Sequence, residues 1–267
     1  MEPAGLAVGI LGLAGVFSNA VDCFEYVQLG RNFSTNFQTS LLKLDNARLR
    51  LSRWGEALGV NGNYGAIQTL QQTTFPEEDV KRADELLGQI LHLFDEAQKA
   101  SEQYKRKNKS DGSSLAVLDV QAEMDSAGQS LHEKMRSLCI KRQKKTSLKQ
   151  KAKWVLYEEK YLNRLVEDIV SLVDDLTELF PTVQQEQQKL CEAEVSELAK
   201  SEGSNESLEL LLEIVQSQDK DLKAALAAAM KPDQSNPGAT FRNDNCNIGN
   251  QAQNVAIHGG QNFHFLS

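Results

Sequence analysis

Positive charge is in short supply in this chain. Its 267 residues carry 29 Lys and Arg against 37 Asp and Glu, a formal net charge of −8. Phosphate backbones are held by net or locally dense positive charge, so the balance argues against a nucleic-acid partner. Helix breakers are also sparse. Only 17 Gly and 5 Pro occur, and several of each lie towards the two ends, so the middle reads as long helices. Cysteine amounts to Cys23, Cys139, Cys191 and Cys246, widely spaced and in no metal-binding pattern. A chain of this length needs no disulfide staples, and the plain expectation is small buried hydrophobes in a reducing compartment.

The chemistry of catalysis is missing as well. No Ser/His/Asp or Cys/His arrangement stands out, and His92 and His132 sit among polar neighbours as surface or partly packed side chains. The carboxylates fall at ion-pair spacings on helix faces, where a solvated surface is the simplest expectation. Gly5, Gly9, Gly12 and Gly15 lie inside an apolar helix, with neither a preceding strand nor a following Lys to make a phosphate loop. The chain is therefore read as a non-enzyme, with no cofactor and no metal.

Apolar residues make up 40% and charged residues 25%, which suits a globular fold. The expected class is all-α, a helical bundle over residues 1–230. A linker follows at 231–240 (KPDQSNPGAT), and then a C-terminal tail, disordered or amyloid-forming, at 241–267. Helices are predicted over 4–29, from a Thr35/Gln38 capping box to Gly55–Gly59, and from a Thr74/Glu77 capping box through Ala97. Others are predicted over 117–140, 154–180, 182–200 and 206–230. The cleanest stripe runs from Leu162 to Leu179, and Pro181 stops it.

Among these elements, the first to rise above background is the N-terminal stretch. Residues 3–21 carry no charge, and the only charged side chain before Asp22 is Glu2. A secretory signal opens on a basic stretch, so retention in the cytoplasm is expected. Nineteen residues of helix span about 28 Å, just short of a hydrocarbon core of about 30 Å. The stretch therefore suits either a bundle core or a bilayer, with Gly5, Gly9 and Gly12 permitting close packing in both.

The second is the run 134–153, with Lys134, Arg136, Lys141, Arg142, Lys144, Lys145, Lys149, Lys151 and Lys153 and no acidic residue. An ordinary solvated face and a patch for anionic headgroups are equally good readings, the latter drawing about 1 kcal/mol per basic residue. The third is the tail. From Phe241 to Phe265 it has six Asn, three Gln and three Gly, with only Arg242 and Asp244 charged. Such a segment can order by stacking identical chains, with Asn and Gln ladders and alternating strand residues.

Several stretches resemble a known family: EYVQLGR at 25–31, LSRWGEA at 51–57, LFDEAQK at 93–99 and RQKKTSLKQKAKWVLYEEK at 142–160. They are similar to the HeLo domain of the fungal HET-s/HET-S heterokaryon-incompatibility and prion proteins, over roughly residues 1–225. The resemblance implies a membrane-targeting cell-death effector. Amyloid templating of the tail disturbs the domain, the N-terminal helix is released, and the membrane is permeabilised. The membrane-inserting residues would be Pro3, Leu6, Val8, Ile10, Leu11, Leu13, Val16, Phe17 and Val21. Lys141, Arg142, Lys144, Lys145, Lys149, Lys151 and Lys153 would meet lipid headgroups. The amyloid segment would use Phe241, Asn247, Ile248, Gly249, Asn250, Val255, Ile257, Gly259, Gly260, Phe263 and Phe265.

Implied partners are further copies of the chain through the tail, a NOD-like receptor with a similar segment, and the membrane on activation. The implied localisation is cytoplasmic, moving to the membrane. The tail departs from the HET-s pattern of paired pseudo-repeats, and its single segment looks closer to other fungal signalling-amyloid motifs. Asn32 stands where related members often have Pro. The alternative, a non-toxic adaptor or prion-type inhibitor acting through protein contacts alone, stays open.

Overall fold

The computed structural model describes residues 3–31, 33, 37–61, 75–109, 115–143, 152–200 and 204–230, leaving out the side chains of 3–11, 121, 204 and 205. The chain divides into two units, Met1–Ala229 and Met230–Ser267. The first is all-α, with one small parallel ladder. Its elements are α1 (Pro3–Cys23), a 3-10 turn (Phe24–Tyr26), β1 (Val27–Leu29), α2 (Phe37–Leu58) and α3 (Glu77–Lys107). Then come α4 (Val120–Glu123), α5 (Ser126–Arg142), β2 (Trp154–Leu156), α6 (Glu159–Leu179), α7 (Gln184–Leu198), α8 (Ser204–Val215) and α9 (Lys220–Ala229).

Helix α2 is the axis of the bundle, packed by α5, α6, α7, α8 and α1. Covered on nearly every side, it buries Asn46, Arg48, Arg50, Ser52 and Arg53 along with its leucines. Near its C-terminal end Trp54 is fully buried between Phe17 and Phe180, with ring centroids 6.0 Å from each. Its indole N–H donates to the Leu176 carbonyl at 3.0 Å, so burial strands no donor. Gly55 makes the fit possible: a Cβ there would lie 2.1–2.7 Å from the Phe17 ring carbons. Gly59 then ends the helix with φ 77°, a left-handed conformation that glycine adopts without strain.

Several predicted helices are shorter than their periodicity suggests. The first ends at Cys23, because Val27–Leu29 pair in parallel with Trp154–Leu156, in register Val27↔Trp154. The same pairing takes residues 154–156 out of the helix predicted from 154, leaving α6 to start at Glu159. β-Branched and aromatic residues suit both roles, and here the ladder hydrogen bonds decide. The helix predicted over 117–140 breaks at Asp125, whose carboxylate caps α5 by accepting the Gly128 N–H at 2.7 Å. The one predicted over 206–230 breaks at Asp219, which accepts the Leu222 N–H at 3.1 Å and opens α9.

Only Gln38 and Glu77, one half of each predicted capping box, are among the described residues. Gln38 exchanges hydrogen bonds with Asp125, donating to its carboxylate at 2.8 Å and accepting its backbone N–H at 3.1 Å. Helix α3 starts at Glu77 behind Pro76 with no side-chain cap. Thr35 and Thr74 lie outside the described residues. Close packing at Gly12 is absent too, since a Cβ there would meet nothing within 4 Å.

Candidate functional site at the root of the first helix

Helix α1 lies chiefly against α3 and also touches α2. Of the residues predicted to enter a membrane, Leu13, Phe17 and Val21 are buried in the core and Val16 is partly buried. Gly12, Gly15 and Asn19 form the exposed side. Pro3, Leu6, Val8, Ile10 and Leu11 are helical, but their side chains lie outside the described set. Within that set no helix is long and apolar enough to cross a membrane. The described side chains of α1 begin only at Gly12.

Where α1 gives way to the 3-10 turn, charges close in. Phe24 packs edge-on to Phe94 at 4.9 Å, which turns the next residue, Glu25, towards α2 and α5. Arg136 of α5 grips Glu25 from Nε at 3.1 Å to both carboxylate oxygens, and from Nη2 at 2.7 Å. Arg48 of α2 binds the same carboxylate. Burial opposes the charge on Glu25, yet the hydrogen bonds from Arg136 and the charge of Arg48 outweigh it and hold the carboxyl at about 2. One turn earlier, buried Asp22 accepts from the Gln143 amide at 3.3 Å. Beside this clamp His132 meets Asp45 at 2.6 Å, and that pairing outweighs burial to raise the imidazole above its ordinary value.

A second ionic cluster lies deeper. Arg53 donates to Glu194 of α7 at 2.7–3.2 Å and to Asp219 at 2.9 and 3.3 Å, and all three side chains are at most 2% exposed. Arg142 joins it, reaching Glu194 at 2.5 Å and Glu56 at 2.6 Å. Burial disfavours the Asp219 charge, but Arg53 and Arg50 reverse the sign and keep its carboxyl below the usual range. Burial drives the neighbouring Cys191 thiol up to about 12, which leaves it unreactive.

This geometry corrects the predicted headgroup patch. Arg142 is buried and committed to two carboxylates, so it is not available to a lipid surface. Lys134 donates to the Leu198 carbonyl at 2.8 Å, and Arg136 belongs to the Glu25 clamp. The reason is periodicity: α5 turns Met135, Cys139 and Arg142 inward together. Lys141 and Lys153 are exposed. Lys144, Lys145, Lys149 and Lys151 lie outside the described residues, as do all the named residues of the segment from Phe241. The reading of carboxylates as solvated surface fails for Glu25, Glu194 and Asp219. Cys23, Cys139 and Cys191 are buried and in no disulfide, matching the expectation for them. Among the described residues, no group of His, Cys, Asp or Glu is placed to hold a metal ion.

Comparison with known proteins gives the following. The model of the HeLo family, described as prion-inhibition and propagation, matches residues 5–211. The chain is 36% identical over 267 residues to heterokaryon incompatibility protein s of Podospora anserina, covering 97% of this chain and 87% of that protein. That coverage carries the alignment into the segment beginning at Phe241. It is 38% identical over 197 residues to heterokaryon incompatibility protein S of the same fungus, covering 74% of this chain and 65% of that one. Among solved structures, the HET-S N-terminal domain matches with TM-score 0.70 at 36% identity, over 85% of this chain and 97% of that chain. A doubly substituted HET-s N-terminal domain gives the same score and identity, over 81% and 97%.

Proposed function

This chain belongs to the HeLo family, and on that premise we propose that it is a cell-death effector of the heterokaryon-incompatibility type. It acts by assembly rather than catalysis. Ordered stacking of residues 241–267 disturbs the helical domain, α1 leaves its seat, and its uncharged stretch permeabilises a membrane. The seed comes from another copy of the chain or from a NOD-like receptor bearing a similar segment. The protein rests in the cytoplasm and moves to the membrane on activation.

One observation carries this reading. A helix with no charged side chain from Pro3 to Val21 is seated through the buried Leu13, Phe17, Ala20 and Val21, while its root is held by a charge clamp. Leu13, Phe17 and Val21 satisfy the same apolar demand in a core as in a bilayer. Glu25 and Asp22 are what insertion must first release. A charge near the centre of a membrane helix costs about 2.5–3.5 kcal/mol, so the uncharged stretch is the part that can transfer.

The test uses full-length protein and anionic liposomes, with and without preformed fibrils of a peptide spanning 236–267. Leakage is expected only with the fibrils, which should show the roughly 4.7 Å repeat of cross-β order. Deleting residues 1–10 should abolish leakage and spare fibril formation. If the deleted protein, verified as folded, leaks dye as fast as the full chain, insertion of α1 is ruled out. A full chain that binds the fibrils without leakage is instead an adaptor or inhibitor.

A further inference from the structure

The cavity under the root of α1 gathers more cations than the Glu25 clamp consumes, and we propose that it binds a phosphate monoester. It measures about 200 Å³ and is walled by the 3-10 turn, β1, α2, α5, Leu118 and Lys153. Arg48, His132, Arg136 and Lys153 face it, against only two carboxylates, Glu25 and Asp45. Asp45 is occupied by His132 and Glu25 is divided between the two guanidiniums. Lys153 is exposed and enters no ion pair among the described residues. Arg48 is 4% exposed, and its Nε has no hydrogen-bond partner. The site therefore holds surplus positive charge, carried by Arg136 and Lys153 at its rim above the buried Arg48.

Glu25 itself reveals what the two guanidiniums select. Its carboxylate receives the Nε and Nη2 fork of Arg136 together with Arg48, an arrangement suited to any oxyanion with paired acceptors. A monoester offers three terminal oxygens and close to two negative charges at neutral pH. A diester brings one charge, no more than Glu25 already supplies, and so gains nothing in exchange for it. The cavity is smaller than the roughly 300 Å³ at which sites for larger ligands begin, which fits a phosphate and not the body carrying it. Binding places the phosphate between Arg136 and Lys153, in competition with Glu25. That this loosens α1 for membrane entry rests on the function proposed above; the binding does not.

The test titrates full-length protein with inorganic phosphate at pH 7.5 and constant ionic strength, reading the unfolding temperature against matched chloride. The unfolding temperature is expected to rise with phosphate. Lys153→Gln breaks no ion pair, so it should leave the phosphate-free value unchanged and weaken the apparent affinity about threefold to tenfold. Glu25→Gln removes the competitor and should tighten phosphate binding by a similar factor, which a merely structural Glu25 would not do. No response beyond chloride overturns the proposal, as does an identical response in the native protein and both variants; should Glu25→Gln fail to fold, Lys153→Gln alone decides. Flotation with phosphatidic acid or phosphatidylcholine vesicles identifies the source. Phosphate-reversible binding to the former alone assigns a lipid headgroup, and a phosphate response without vesicle binding assigns a soluble ester.

Discussion

Helix α2 carries two arginine-centred clusters that use the same chemistry at different depths. Arg53 meets Glu194 and Asp219 where no side chain exceeds 2% exposure. Arg48 meets Glu25, at 5% and 14% exposure, but the other partner of Glu25 is Arg136, at 49%. In the deep cluster every charge depends on another protein charge, so removing one strands the rest in low dielectric. In the shallow cluster water can replace the protein at Arg136, and each opening costs far less. The deep cluster ties α2 to α7 and to the start of α9 as structure. The shallow one sits where α1 ends and the 3-10 turn begins.

The deep cluster should give the largest effect. Arg53→Met is expected to destabilise the protein by about 3–5 kcal/mol, read as a lower urea midpoint followed by circular dichroism. A loss under about 1 kcal/mol would equate the two clusters and remove the comparison. Next comes the apolar seat of α1: Gly55→Ala drives a methyl into the Phe17 ring and should cost about 1–3 kcal/mol. Gly12→Ala, with open space at the Cβ, should be neutral or stabilise by up to about 1 kcal/mol through helix propensity.

The shallow cluster should follow, with Glu25→Gln costing about 1–2 kcal/mol at pH 7 in the same assay. Its pH dependence sharpens the point. The Glu25 carboxyl is held at about 2 against an ordinary 4.5, so its contribution is whole above pH 4.5 and disappears as pH falls towards 2. Glu25→Gln should flatten the stability slope in that window. A residual slope should persist from Asp219, also held below its ordinary value. An unchanged slope in the variant would mean that the clamp does not hold the folded state. Smallest of all, Lys99→Gln breaks an exposed pair with Asp95 on α3 and should leave the midpoint where it was.

The sequence revealed much of the fold and little of the site. Leu162, Leu165, Ile169, Val173 and Leu176 are buried as their spacing demands, because an amphipathic helix has one way to shed water from its apolar face. Gly55–Gly59 marked the end of the second helix, and α2 ends at Leu58. Periodicity went astray wherever a polar side chain found a distant partner. Asp125 and Asp219 interrupt predicted helices because each caps the next one, and only the fold brings Gln38 to the first and Arg53 to the second. A signal for the buried cluster was present: Arg48 and Arg50 alternate with Leu49 and Leu51, and Arg53 adjoins Trp54.

By itself, then, the sequence determined the all-α class, most helix positions and the uncharged character of residues 3–21, since these follow from local spacing and composition. Tertiary structure alone decided which charges are buried and what holds the first helix. Glu25 meets Arg136 across 111 residues and Arg53 meets Glu194 across 141. No local period encodes such a pairing. An ionised side chain is driven to the surface by its hydration, and it remains inside only when folding delivers an opposite charge to the same place.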